Sequence, residues 1–212
     1  MVSSVAPTPF YWIVAALMLV GSTVYADDAS ENLAAQLAAT NELRAEIVQR
    51  VYANGLLLEE STGHFALARP NFRWQVETPF PQIILLTDQQ LQIYDEDLRQ
   101  LTIRDLDIRN DALPARFLMQ PKRLLDGNHT VTQLASPESA KSVTYRLSPN
   151  DSASLFQKLE ITFTAKKLAS LVIVDWQNQQ TQITFNNLQL NLALPPDLFR
   201  LTIPEGTDII RG

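Results

Sequence analysis

The side chains that most often carry out chemistry are few and scattered in this chain of 212 residues. It has two histidines, His64 and His129, and no cysteine. The absence of cysteine excludes disulfides, thiolate metal sites and cysteine nucleophiles. The two histidines lack the spacing of an H-E-x-x-H zinc motif, and the chain has no G-x-S-x-G nucleophile motif and no glycine-rich phosphate loop. We therefore predict that the protein is not an enzyme and that it needs no metal or cofactor.

The densest group of carboxylates is the run Asp95-Glu96-Asp97, between two predicted strands. Paired carboxylates can perform acid–base chemistry or bind Ca²⁺. A run inside a hairpin turn is more typical of a solvated loop, and we adopt that interpretation. The formal net charge of −6, without a long basic segment, argues against nucleic acid as a partner.

The first 26 residues have the features of an export signal. Residues 2–26 contain no charged side chain, and Phe10–Val20 is a continuous apolar run, too short to span a bilayer. Small residues at Val24 and Ala26 predict cleavage before Asp27. The segment before the apolar run lacks Lys and Arg, so an uncleaved anchor stays open as the alternative. We predict a signal peptide at 1–26 and a single domain at 27–212, which without a lipidated cysteine would be free in the periplasm.

The remaining chain changes from helical to strand periodicity. Apolar residues at helical spacing predict a short amphipathic helix over about 30–40. Alternating residues then predict several strands, the clearest at 43–51, 91–94, 98–103, 159–163 and 183–192. The last of these changes phase at Asn186-Asn187, which predicts a β-bulge. Helical spacing returns only briefly, at Pro114–Met119 and Pro195–Leu198.

Many short strands joined by turns predict an antiparallel sheet or barrel. Such a sheet must cover its apolar face, and two or three short helices are a thin cover for it. Two interpretations stay open from the pattern alone: an ordinary packed core, or an apolar cavity that binds a ligand.

The segment Gly63–Trp74, GHFALARPNFRW, is the most informative stretch. It resembles the pattern G-x-x-x-x-x-R-P-x-x-F-x-W of the periplasmic lipoprotein carrier family, LolA. Later segments resemble further motifs of that family in the same order: Tyr94–Gln100, Pro114–Leu118 and Phe199–Gly206. Here the segment after Pro70 is one residue shorter than usual, so that either Phe72 or Trp74 could occupy the family's cargo-contacting aromatic position.

This resemblance implies a mainly β (α+β) fold. The expected architecture is a curved antiparallel unclosed β-barrel, covered by a lid of short α-helices, with an apolar cavity. The implied function is that of a monomeric chaperone for protein transport. It would accept the acyl chains of lipoproteins from an inner-membrane ABC transporter and deliver them to an outer-membrane acceptor lipoprotein.

The resemblance also assigns roles to residues. Arg69 matches an arginine that hydrogen-bonds the lid helices when the cavity is empty and lets go on loading. An acyl chain in water costs about 0.8 kcal/mol per exposed methylene, so a carrier must cover it with apolar side chains. The predicted cavity residues are Ile47, Phe65, Leu67, Phe72, Trp74, Leu91, Ile93, Leu118 and Met119.

A second function of a different class stays open as an alternative. A periplasmic sensing or regulatory module could use a similar half-barrel to bind lipidated proteins. Such a module usually carries a second domain or an anchor, for which we expect no room in residues 27–212. The carrier is therefore the preferred hypothesis.

Overall fold

The computed structural model describes residues 26–87, 89–105, 115–135, 141–151 and 154–212. The predicted signal peptide lies outside these residues, apart from Ala26, and stays a prediction. Within the described part of the chain, no helix is long and apolar enough to cross a membrane. The helices are α1 (Ala26–Ala38), α2 (Ala115–Met119) and two 3₁₀ helices, Pro121–Leu125 and Pro196–Phe199.

The described residues form one sheet of twelve strands. The strands are β1 (Glu42–Ala53), β2 (Leu56–Ala68), β3 (Asn71–Thr78), β4 (Gln82–Leu86), β5 (Gln90–Asp95), β6 (Gln100–Asp105), β7 (His129–Leu134), β8 (Ser142–Pro149), β9 (Lys158–Thr164), β10 (Lys167–Val174), β11 (Gln180–Leu190) and β12 (Asp208–Arg211).

The sheet consists of two antiparallel meanders joined side by side. The strand order is β12-β6-β5-β4-β3-β2-β1-β11-β10-β9-β8-β7, so β1 pairs with β11 at the junction. Only β12 runs parallel to its neighbour, β6. The order ends at β7 and β12, which do not pair with each other, and the predicted unclosed antiparallel fold is confirmed.

The long central strands carry three register shifts, and two of them lie at residues with a special backbone conformation or a close backbone contact. The pairing of β1 with β11 shifts between Arg44 and Glu46, opposite Asn187, whose φ is +50°. This shift confirms the bulge predicted from the phase change. A second shift lies at Gly63, where an added Cβ would stand 1.9 Å from the carbonyl oxygen of Gln75. Only glycine fits that close approach of β2 to β3.

The predicted elements that the structure describes are confirmed with shifted ends, while Pro114, the first residue of the second predicted helical segment, lies outside the described residues. The first helix occupies Ala26–Ala38 rather than 30–40. The strand expected at 98–103 begins at Gln100, because Glu96–Arg99 form the turn and the backbone N–H of Leu98 donates to Oδ1 of Asp95 at 3.0 Å. The acidic run therefore lies in a turn, as expected.

The two faces of the sheet carry different covers. The helices α1 and α2 and the 3₁₀ helix Pro121–Leu125 lie on one face, called here the concave face, over a large buried cluster that includes Leu33 of α1 and Phe117 of α2. The opposite, convex face has a small cluster of Ile83, Leu85, Tyr94 and Leu101. The C-terminal segment packs on this small cluster through Leu201.

Candidate functional site

The predicted cavity residues of β2 to β5 share the concave face. Residues that pair directly across neighbouring strands point to the same side of a sheet. One such row is Leu67, Phe72, Leu86 and Leu91. The next row along the strands is Phe65, Trp74, Ile84 and Ile93. The pairing register thus brings together residues that are up to 28 positions apart in the sequence.

Burial divides the predicted residues into two groups. Seven are buried in the concave cluster: Ile47, Phe65, Leu67, Phe72, Trp74, Leu118 and Met119. Leu91 is half-buried and packs against that cluster, whereas Ile93 is half-buried and belongs to neither cluster. Ile93 therefore stands toward the edge of the apolar surface.

Aromatic rings form the centre of this surface. The ring of Phe65 meets Phe72, Trp74 and Phe185 edge to face, with centroids 5.1, 6.0 and 5.3 Å apart. Phe72 and Trp74 lie 6.3 Å apart on the same face. Both candidates for the cargo-contacting aromatic position therefore face the lid side.

Several members of the concave cluster were missed as cavity residues by sequence reasoning. They include Leu33, Phe117, Phe156 and Phe185, all buried in the same cluster. Phe185 carried a signal, because it alternates with polar residues in a predicted strand that lies beside β1. Phe156 lies in a loop between β8 and β9, where no periodicity marks it.

Arg69 joins the sheet to both parts of the lid. It follows β2, and its Nε donates to the carbonyl oxygen of Leu118 in α2 at 3.0 Å. Its Nη2 donates to the carbonyl oxygen of Leu37 in α1 at 2.6 Å, and Nη1 donates to that of Thr40. Nη1 also lies 3.4 Å from Oδ1 of Asn41. We call this set of hydrogen bonds the Arg69 clamp.

The clamp suits the chemistry of its parts. Carbonyls at the end of a helix lack partners within the helix, and a guanidinium supplies several donors in a fixed fork. Burial lowers the pKa of Arg69, because the charged form loses contact with water. An arginine nevertheless stays protonated in proteins, so the bonds are charge-assisted.

Among the described residues, the concave face is closely packed near the clamp. Beneath the clamp, Leu37, Leu67 and Leu118 border a cavity of only about 20 Å³. A larger apolar groove of about 700 Å³ lies outside, between α1 and the 3₁₀ helix Pro121–Leu125. The cavity beneath the clamp is therefore too small for an acyl chain in this arrangement of the described residues.

The two histidines, which could act as catalytic groups or metal ligands, lie in separate surroundings. Nε2 of His64 lies 3.3 Å from Oε1 of Glu77 at the surface, while His129 packs between the rings of Phe117 and Phe156. In the described ranges, no three or more His, Cys, Asp or Glu side chains group in a way that could hold a metal ion.

Known proteins resemble this chain in sequence over most of its length. The family model described as "Outer membrane lipoprotein carrier protein LolA" matches residues 38–202. The outer-membrane lipoprotein carrier protein of Chromohalobacter salexigens is 33% identical, with 86% of each chain covered. That of Pseudomonas putida is 29% identical over 94% of this chain and 96% of its own.

A solved structure agrees in fold. An uncharacterized conserved protein from Thermus thermophilus superposes with a TM-score of 0.53 at 10% identity, covering 86% of this chain and 99% of its own. The match of the family model to most of the chain, together with this geometry, shows that the chain belongs to the LolA family of outer-membrane lipoprotein carriers.

Proposed function

We propose that this protein is a periplasmic carrier that covers the acyl chains of lipoproteins with the concave face of its sheet. It is not an enzyme, and its action is to bind and release. The single observation that carries the proposal is the Arg69 clamp, which holds two separate helices over an apolar face in a chain of this family. The nine predicted cavity residues are the proposed contacts for the cargo.

The clamp supplies a reason for release as well as for binding. Each hydrogen bond to a charged group contributes about 1.5–3 kcal/mol. Loading must break the bonds of Arg69 to Leu37 and Leu118, because the cargo can reach the concave face only when both helices move. The net affinity for cargo is therefore lower than the apolar contact alone would give, and onward transfer becomes possible.

The proposed route runs between the two membranes. The carrier accepts a lipoprotein from an inner-membrane ABC transporter and gives it to an outer-membrane acceptor lipoprotein. It travels as a monomer, and nucleic acid has no part in the process. The export signal at 1–26 would bring it to the periplasm, where the single domain 27–212 acts.

The replacement Arg69→Leu tests this proposal. The variant should load with lipoprotein and then retain it, because nothing restores the closed lid. Mass spectrometry of protein purified from bacterial envelopes should show acylated lipoprotein bound to Arg69→Leu at several times the level of the unmodified protein. Arg73→Leu is the matched control, because Arg73 lies on β3 and bonds the carbonyl oxygen of Leu198 on the C-terminal segment, away from the lid.

Two results would contradict the proposal. Equal cargo retention by Arg69→Leu and Arg73→Leu would remove the clamp from the mechanism. Absence of acylated ligands from all three proteins, together with no transfer of a diacylated lipopeptide to outer-membrane vesicles, would remove the carrier function itself.

A further inference from the structure

Arg69 lines two depressions among the described residues, and the groove outside the lid is the larger of them. It has a volume of about 700 Å³ and lies between α1 and the 3₁₀ helix Pro121–Leu125. Its floor includes the buried residues Met119 and Pro121, and its edges include the exposed residues Ala35, Ala38 and Leu125. We call it the outer groove.

The outer groove shares a wall with the proposed cargo face. Ala34 and Met119 line the groove and also belong to the buried cluster on the concave face. Arg69 lines the groove and also the small cavity beneath the clamp. These side chains and the clamp therefore adjoin both the groove and the concave interior.

The clamp borders the groove through Arg69. Arg69 bonds the carbonyl oxygens of Leu37 and Thr40 at the end of α1, and it bonds that of Leu118 in α2 on the other side. A molecule lying in the groove lies against α1, which Arg69 holds, and against the segment that follows α2. Moving inward from there, it would have to displace those hydrogen bonds.

We propose that the outer groove is a second acyl-chain site, which holds the leading part of one chain before the Arg69 clamp opens. This inference rests on the proposed carrier function. The stretch from Glu31 to Ala38 spans about 10 Å of helix axis, so that the groove takes part of a chain rather than all of it. The apolar middle suits methylenes, while Glu31 and Lys122 place charge at the rim near water.

Photo-crosslinking tests the proposal directly. The probe is a synthetic diacylated lipopeptide whose acyl chains carry a diazirine, and mass spectrometry locates the adducts on the full chain. We expect adducts on groove residues such as Ala38 and Leu125 in the unmodified protein. In Arg69→Leu, the ratio of concave-face adducts, on residues such as Phe65, to groove adducts should rise at least threefold.

A matched pair of variants separates the groove from the rest of α1. Ala38→Phe fills the groove and should lower groove adducts at least fivefold, whereas Asn32→Phe, on another exposed face of the same helix, should change them less than twofold. Thermal unfolding confirms that both variants are folded. Ala35→Phe replaces Ala38→Phe if the latter does not fold.

Each remaining outcome has a definite meaning. Adducts confined to the concave face, or groove adducts that survive Ala38→Phe, would overturn the outer site and leave the carrier function intact. Adducts on neither surface would overturn both. If groove adducts decrease as the protein concentration rises, and light scattering shows a dimer, the groove would instead be an interface with a second copy of this chain.

Discussion

The two faces of the sheet are covered in different ways. On the concave face, the side chain of Arg69, at the end of β2, bonds both α1 and α2. On the convex face, the C-terminal segment ends in β12, which is joined to β6 by a parallel ladder over four residue pairs. Nη1 of Arg73 also donates to the carbonyl oxygen of Leu198 in the C-terminal segment at 3.1 Å. This hydrogen bond adds to the attachment that the ladder provides.

The difference shows how one sheet can have a removable cover and a permanent one. Opening a strand ladder exposes a row of backbone groups that need partners, which is costly. Releasing a helix keeps its internal hydrogen bonds intact and breaks only side-chain bonds and apolar contacts. The proposed carrier function therefore requires the lid to move while the C-terminal cover stays in place.

The largest expected effect tests whether the surface under the lid is packed as a true core. Phe65 is fully buried and meets three aromatic rings, so Phe65→Ala should lower the free energy of unfolding by about 3–5 kcal/mol. Urea unfolding measures it. The exposed Leu58 is the control, since Leu58→Ala should change stability by about 0.5 kcal/mol or less. A loss below about 1 kcal/mol for Phe65→Ala would mean that the helices cover the face only loosely.

The next effect is a difference in amide hydrogen exchange between the helices of the concave face and the C-terminal strand β12. Arg69→Leu removes charge-assisted bonds to both helices, so amide hydrogens of α1 should exchange at least about tenfold faster. Arg73→Leu should change exchange in β12 less than about twofold, because the ladder with β6 remains. Hydrogen–deuterium exchange with mass spectrometry measures both. Faster exchange in β12 than in α1 would reverse the comparison.

A smaller expected effect is the pH dependence of stability that His129, beside the lid, contributes. Burial lowers the pKa of His129 from its usual 6.5, with Asp126 opposing the shift and Arg123 adding to it. The unfolded chain then binds more protons than the folded one between that lowered pKa and 6.5. Stability is therefore full above about pH 6.5 and falls as the pH drops through that window.

The replacement His129→Gln should flatten this loss, as measured by thermal unfolding from pH 7.5 to 4.5. His64→Gln serves as the control, because His64 lies at the surface of β2 away from the lid. A steeper acid loss in His129→Gln than in the unmodified protein would contradict the assigned sign.

Sequence reasoning predicted the elements whose signal is local. The phase change at Asn187 locates the bulge because a strand has a period of two. The concave positions of Phe65, Leu67 and Phe72 follow from the alternation of side chains along β2 and β3, because the apolar set of each strand faces the buried side of the sheet. The role of Arg69 came from resemblance to the family, and its partners Leu37, Thr40 and Leu118 could not be read locally, because they come from other elements and present backbone carbonyls.

Other features depend on packing across long distances in the sequence. Phe156 is buried although no periodic pattern surrounds it in the sequence, since its side chain packs into the concave cluster. The parallel pairing of β12 with β6 joins segments about a hundred residues apart, and no local pattern specifies it. The outer groove likewise arises only when α1 and Pro121–Leu125 meet.

The most direct test of the account follows the lid itself. The chain has no native cysteine, so Asn32→Cys on α1 and Glu60→Cys on β2 accept spin labels at defined places. Double electron–electron resonance should show that the distance between these two labels increases when a diacylated lipopeptide binds. The distance between labels at Asp208→Cys and Glu60→Cys, the control pair, should not change. An unchanged distance from α1 to the sheet, with lipopeptide bound to the concave face, would contradict the account.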